Sequence, residues 1–214
     1  MSMIKVMIVD DHPLVWEGLK KVVSKGSMDI EVAYEASNAA EMQEMLSKQL
    51  PDIVILDIAM PGRSGMDVLK DIKNLYSQLP VLMLSMHPED RFAVRAMKAG
   101  ASGYMTKTSI SDELVKAIRT IVTLRKRYIS PEVAEQLALQ IDSSGNKSLH
   151  ETLSDREYQI LCMIASGKKI GDIAEELSLS VQTIHTYRAR LKDKMNMKSN
   201  VELARYAIQQ DLID

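Results

Sequence analysis

The chain of 214 residues contains a single cysteine, Cys162, so no internal disulfide can form. Cys162 falls in an apolar helical stretch and reads as core packing. Apolar runs reach only about six residues, as at Ile53 to Leu56 with its neighbours. A bilayer-spanning helix needs roughly 20, which excludes a transmembrane helix. Net charge is only −2, so overall electrostatics does not mark a nucleic-acid binder, and any such surface must come from local clustering. The opening MSMIKVMIVDD runs straight into a strand pattern ending in two acids, where a signal peptide would carry a small-residue cleavage site. These absences predict a cytoplasmic protein with no membrane association. Internal repeats and low-complexity tracts are also missing. What is present suffices for a soluble core, with 46% hydrophobic and 26% charged residues, and the length admits two small domains or one large one.

The first 124 residues alternate short aliphatic runs with helical patterns. The runs are IKVMIV (4–9), IEVAYE (30–35), DIVIL (52–56), PVLML (80–84) and SGYMT (102–106). Runs that are continuous rather than alternating are the mark of strands buried on both faces. Between them, Val68, Leu69, Ile72 and Leu75, then Leu114, Val115, Ile118 and Val122, recur at helical spacing. Five β–α units in succession predict a parallel sheet with helices on both faces and the reactive groups at the carboxyl ends of its strands. A basic stretch, Leu124 to Tyr128, precedes a helix opened by Ser130-Pro131. The segment DSSGNKSLH (142–150) has no apolar period and reads as a flexible linker. Beyond it the period is purely helical. Ser154 and Glu157 form a capping-box signature, Gly167 ends that helix, and a short helix IGDIAEEL follows. After the turn Ser178-Leu179-Ser180 come helices from Val181 to about Met195 and from Asn200 to about Gln210.

Asp10 and Asp11 end the first strand, Asp57 the third, Ser85 the fourth and Lys107 the fifth. In a doubly wound sheet these ends converge. Clustered carboxylates raise one another's pKa, and a hard divalent cation, best Mg2+, makes the cluster tolerable. Lys107 and Ser85 facing that cation suit an incoming phosphoryl group, with Asp57 as nucleophile. Taken singly, each residue also reads as an ordinary strand-end charge or helix cap. A metal-dependent phosphohydrolase would need a second acid two residues past the nucleophile, where Ala59 stands. A module using this fold for protein contacts alone would not need an intact acid pocket.

The blocks IVDDHPLVWEGL, DIVILDIAMPGRSGMDVL, LSMH and AGASGYMTK resemble those of receiver domains, and most of all those of the NarL/FixJ group of two-component response regulators. The resemblance covers nearly the whole chain. It implies a flavodoxin-like receiver over 1–124, with Asp57 as phosphoacceptor. It implies Mg2+ held by Asp10, Asp11, Asp57 and the Ala59 carbonyl, and phosphoryl contacts from Ser85 and Lys107. It implies Tyr104 as the switch aromatic and a sensor histidine kinase as partner. Three positions depart from the usual pattern. Trp16 stands where the group carries arginine, reading as packing or a dimer contact. Met86 follows Ser85 in place of a small residue, and Thr108 follows Lys107.

Residues 125–150 then make a helical linker and flexible segment, and 151–214 a DNA-binding domain. The segment TLSDREYQILCMIASGKKIGDIAEELSLSVQTIHTYRARLKDKMNMKS resembles the LuxR-type helix-turn-helix. Its third helix carries Arg188, Arg190, Lys192, Lys194 and, just beyond, Lys198 against Asp193 alone, a bias that suits major-groove entry and phosphate neutralisation. Ile173, Ala174, Leu177, Ile184, Leu191 and Leu203 are its expected core. Family alignment places His185, Thr186 and Ala189 at base-facing positions. Ala189 has no polar group, so Arg188 or Arg190 can take over the reading. Thr183, Lys192 and Lys194 are expected on phosphates. Surplus apolar positions on the last helix predict pairing with a symmetry mate on a roughly palindromic operator, as a homodimer when phosphorylated or DNA-bound.

Overall fold

The computed structural model describes residues 3–60, 62–85, 89–142, 148–210 and 212–213. The chain divides into two compact units, 1–138 and 139–214.

The first unit is the expected doubly wound α/β fold. Strands β1 (Ile4–Val9), β2 (Ile30–Ala36), β3 (Ile53–Asp57), β4 (Val81–Ser85) and β5 (Gly103–Thr106) pair in parallel, in the order β2-β1-β3-β4-β5. Each lies within one residue of its expected bounds. Parallel neighbours require crossover helices, here α1 (Pro13–Gly26), α2 (Ala39–Lys48), α3 (Gly65–Leu75) and α4 (Glu89–Lys98), and α5 (Ile110–Val122) follows the last strand. On one face Val6, Ile8, Ile53, Ile55, Leu82 and Leu84 meet Leu19 and Val23 of α1 and Leu114, Ile118 and Ile121 of α5. The alternating residues Met7, Val9, Val54, Leu56 and Met83, buried as well, point to the opposite face. That face is covered by helices with their own buried residues, such as Met42 and Leu46 of α2 and Met66, Leu69 and Ile72 of α3. Every residue of β3 and β4 is buried, which is why their sequences run apolar up to the Asp57 and Ser85 that end them, whereas edge strand β2 exposes part of its length.

Leu75, expected on the core face of α3, is exposed. It is the helix's last residue, three positions past the last buried one, Ile72. The edge at β5 is closed by the basic stretch. The Tyr128 N–H donates to the Ser102 carbonyl at 2.9 Å and its hydroxyl to Glu113 at 2.7 Å. This contact fits only a glycine opposite, since a Cβ on Gly103 would stand 2.9 Å from the Tyr128 carbonyl oxygen. Of the expected 142–150 linker, Asp142 instead ends helix α6 (Pro131–Asp142). Ser148 opens a 3-10 turn, Leu149–Thr152, and donates its backbone N–H to the Glu151 carboxylate at 3.1 Å. Met86, His87 and the linker residues 143–147 lie outside the described residues.

The second unit holds α7 (Asp155–Ala165), α8 (Ile170–Glu176), α9 (Val181–Lys194) and α10 (Asn200–Gln209). Serine caps start three of them: Ser154, Ser180 and Ser199 each accept the amide three residues on. The stops are equally regular. Lys168 N–H bonds to Met163 O, Leu179 N–H to Ala174 O and Met197 N–H to Lys192 O. Each closure needs one left-handed residue, supplied by Gly167, Ser178 and Asn196, with φ of 80°, 49° and 52°. The turn between α8 and α9 is therefore a tight helix stop followed at once by a serine-capped start. Ile173, Ala174, Leu177, Ile184, Leu191 and Leu203 are all buried, forming the expected core.

Two glycines make opposite predictions. A Cβ on Gly65, first residue of α3, would sit 1.9 Å from the Asp57 carbonyl oxygen, so the backbone itself would have to move. Gly65→Ala is expected to cost about 1–3 kcal/mol in urea denaturation. Gly18 lies inside α1, and a Cβ added there would meet nothing within 4 Å. Gly18→Ala should therefore gain about 0.5–1 kcal/mol in the same assay.

Candidate functional site

The order β2-β1-β3 places the reversal of winding between β1 and β3, and a crevice opens there beyond the strands' carboxyl ends. Asp10 follows β1 and Asp57 ends β3. Both are buried, at 1% and 2% exposure, and Ser85 at the end of β4 is buried too. Lys107, one residue past β5, reaches across. Its Nζ stands 2.7 Å from Asp10 Oδ2 and 3.1 Å from Asp57 Oδ1. The other Asp10 oxygen accepts the His12 backbone N–H at 2.9 Å. The His12 ring lies 3.2 Å from Asp10 Oδ1 and 3.1 Å from Asp11 Oδ1. The sequence reasoning did not single out His12, though its place directly after the two acids was visible.

The electrostatics are those of a cluster short of positive charge. Burial pushes the Asp57 carboxyl up to about 6, with Lys107 opposing the shift and Asp10 adding to it. Burial alone would lower the Lys107 pKa, yet the flanking carboxylates of Asp57 and Asp10 leave it raised. Asp11 Oδ1 and both Asp57 oxygens are buried without a hydrogen bond of good geometry. Ligand atoms of Asp10, Asp11, His12 and Asp57 lie within 4.8 Å of one another. A hard-oxygen donor set with unsatisfied lone pairs fits a hydrated divalent cation such as Mg2+.

The surrounding parts hold this crevice in shape. Ser64, buried, caps α3 by accepting the Met66 N–H at 3.1 Å, and Gly65 lets the loop pass against the Asp57 main chain. Neither was singled out from sequence, although Ser-Gly before a helical run is a cap signal. Ala59 lies in the same loop and directs its backbone amide toward Asp57. Ser85 and Thr106 are register partners at the ends of β4 and β5. Tyr104 is buried, on the sheet face opposite its neighbour Met105, which joins the α1/α5 core. Trp16 of α1 packs half-buried against that same core and donates its indole N–H to the Asp10 carbonyl at 3.0 Å.

On α9 the buried residues Ile184, Leu191 and Met195 mark the inward side. Gln182, Thr186, Ala189 and Arg190 are exposed. His185, Thr183, Tyr187, Arg188 and Lys192 are half-buried flanks. Arg188 follows Ile184 by four residues and precedes Leu191 by three, which keeps it close to the inward side. Arg190 follows Thr186 by four and shares a shallow concavity of about 280 Å³ with Gln182, Thr183, Thr186 and Tyr187. Gln182 and Tyr187 were not among the expected contacts.

Lys194 has another occupation besides the expected phosphate. Its Nζ donates to Glu157 Oε2 at 2.7 Å, and this buried carboxylate also accepts the Ser154 N–H at 2.8 Å. Burial would raise the Glu157 pKa, but the bonds from Lys194 and Ser154 leave it below the ordinary 4.5. One carboxylate thus closes the capping box of α7 and ties it to the end of α9.

An acid-and-lysine crevice at the switch point of one unit, with a helix-turn-helix in the other, defines a regulator built from an input and an effector module. Comparison with known proteins agrees. Residues 6–119 match the response regulator receiver domain family, and residues 151–207 the bacterial regulatory proteins of the luxR family. The chain is 37% identical over 213 residues to the response regulator UvrY of Escherichia coli (strain K12), covering 98% of this chain and 96% of that one. It is 38% identical over 216 residues to the response regulator GacA of Pseudomonas aeruginosa, covering 99% of each. A LuxR-family two-component response regulator from Aurantimonas sp. SI85-9A1 superposes with a TM-score of 0.59 at 35% identity, over 66% of this chain and 99% of that one. The chain belongs to the two-component response regulators that carry a luxR-family DNA-binding domain.

The ion pair at Glu157 predicts a pH signature. A depressed carboxyl pKa contributes stability that is complete above the ordinary value of 4.5 and is lost as pH falls through the lower folded value. Lys194→Ala should cost about 1–2 kcal/mol at pH 7, discounted because the lysine is half exposed, and the cost should shrink toward acid. Urea titrations of both proteins at pH 7 and pH 4 measure this.

Proposed function

We propose that the protein is a transcription regulator switched by phosphorylation of Asp57, with a sensor histidine kinase as phosphodonor. The observation that carries this reading is Lys107 bridging Asp10 and Asp57 in a crevice where Asp11 Oδ1 and the second Asp57 oxygen are buried without a hydrogen bond of good geometry. An Asp57 oxygen attacks the phosphorus of a phosphohistidine. The P–N bond breaks, the nitrogen keeps the electron pair and the imidazole takes up a proton. Asp10, Asp11, Asp57 and the Ala59 carbonyl would hold Mg2+, which would neutralise charge on the transferring oxygens. Lys107 offers the phosphoryl group a point charge and Ser85 a hydroxyl. Movement of Ser85 toward that group makes room for Tyr104, whose ring then reports the phosphorylated state to the α4 side of the sheet. A phosphoacceptor domain over 1–124 and a DNA-binding domain over 151–214, joined by a linker, divide the labour in the bacterial cytoplasm.

For DNA, α9 enters the major groove. Its exposed stripe supports Thr186, Ala189 and Arg190, with half-buried His185, as the base-facing set. Arg190 is favoured over Arg188 because it stands on the open side of the helix. Thr183 and Lys192 on the flanks suit phosphates, and Lys194 shares that role with its ion pair to Glu157. On α10, Leu203 and Ala207 face the core while Val201 and Ile208 remain 77% and 56% exposed. That spare apolar face suits pairing with a second copy on a roughly palindromic site. Phosphorylation then promotes the dimer and raises DNA affinity.

Two experiments test this. Wild-type protein incubated with acetyl phosphate and Mg2+ should gain one phosphoryl group located by mass spectrometry at Asp57, and Asp57→Asn should gain none while remaining folded. A phosphoryl group on another residue would overturn the assignment. For the DNA face, Arg190→Ala should cost about 1–3 kcal/mol on a selected operator and relax one base position, whereas Arg188→Ala should weaken operator and scrambled DNA alike. Titration at several salt concentrations distinguishes them, and the reverse pattern would restore Arg188 as the reader.

A further inference from the structure

We propose that Trp16 is a positioning residue for divalent-cation binding, holding the Asp10–Asp11 peptide so that the Asp11 carboxylate points into the crevice. The inference rests on the cation site proposed above. Its starting point is where the sheet runs out. The Asp10 N–H still belongs to the ladder, donating to the Ala36 carbonyl at 3.1 Å, but β1 itself ends at Val9. The Asp10 carbonyl, on the far side of that residue, receives the Trp16 indole N–H at 3.0 Å. The ring providing that donor is wedged against the core formed by α1, α5 and the sheet, which limits its rotamers.

The two acids depend on this anchor unequally. The Asp10 carboxylate is held from both sides, by the His12 N–H at 2.9 Å and by Lys107 at 2.7 Å. The Asp11 carboxylate has no such clamp among the described residues. Its buried Oδ1 lacks a hydrogen bond of good geometry, and its near neighbour is the exposed ring of His12 at 3.1 Å. The direction of Asp11 is therefore set by its own backbone, and the peptide plane that fixes that backbone ends in the carbonyl Trp16 holds. The sole tryptophan of the chain thus acts on the cluster through the main chain. An unliganded but preformed set of carboxylates binds a cation without first ordering it, which raises affinity.

The test uses full-length protein and Mg2+ alone, followed by isothermal titration calorimetry. Trp16→Phe removes the donor together with some packing. A second protein carries the sulfur isostere of tryptophan at position 16, with a benzothiophene ring in place of indole, which removes only the N–H. Both should bind Mg2+ about three- to tenfold more weakly than wild type, the range that loss of one hydrogen bond allows. The isostere should keep the wild-type thermal midpoint without metal. Wild-type affinity in the isostere overturns the inference, whether or not Trp16→Phe is weakened, because packing would then be the whole role of the ring. Absence of saturable Mg2+ binding by wild type would instead overturn the cation site itself, and this inference with it.

Discussion

Asp10 and Asp57 are buried side by side with one lysine between them, and the receiver unit is organised around that imbalance. Removing a carboxylate from water costs several kcal/mol unless a cation or donors replace the lost hydration. Lys107 brings one positive charge within reach of both. With Asp11 alongside, three carboxylates face a single lysine. The shortage shows at Asp57, whose carboxyl is pushed up to about 6. The same shortage makes the crevice compatible with a divalent cation, which would offset the negative charge that the protein leaves unbalanced.

Such a cluster must be held by groups that do not themselves titrate. The main chain does most of this. His12 offers its amide to Asp10, Gly65 allows the β3–α3 loop to lie against Asp57, and Trp16 pins the carbonyl at the end of β1. These are small local contacts with long consequences. A parallel sheet brings several strand ends to one edge, so a shift of one loop moves a ligand relative to groups from distant parts of the sequence. Lys107 and Asp10 are 97 residues apart, yet they meet at 2.7 Å.

The second unit solves a different problem, that of making short helices stop and start with few residues. A helix of seven residues, such as α8, has little stability of its own. Serine caps, left-handed stops at Gly167, Ser178 and Asn196, and the Glu157–Lys194 bond hold the helices to a small core. The result is that α9 has three distinct sides: Ile184, Leu191 and, at the C-cap, Met195 inward, Arg190 with Gln182 and Thr186 outward, and half-buried polar flanks between.

Much of this was legible in the linear chain, because strand and helix periods, caps and strand-end acids are local features. The five aliphatic runs became five strands with bounds within a residue, and the Ser154–Glu157 cap formed as its spacing predicts. What could not be read was the partner of each side chain. Leu75 keeps helical spacing but is exposed at the last position of α3. Lys194 looks like any other base on a basic helix until α7 brings a buried carboxylate to it. Trp16 offered no clue that its N–H meets Asp10, and the 1.9 Å approach at Gly65 exists only once β3 and α3 are placed. Sequence alone determined which elements form and which residue types gather at the strand ends, because backbone propensity and apolar period act over a few residues. Tertiary structure decided which donor meets which acceptor, because those distances depend on how whole elements pack.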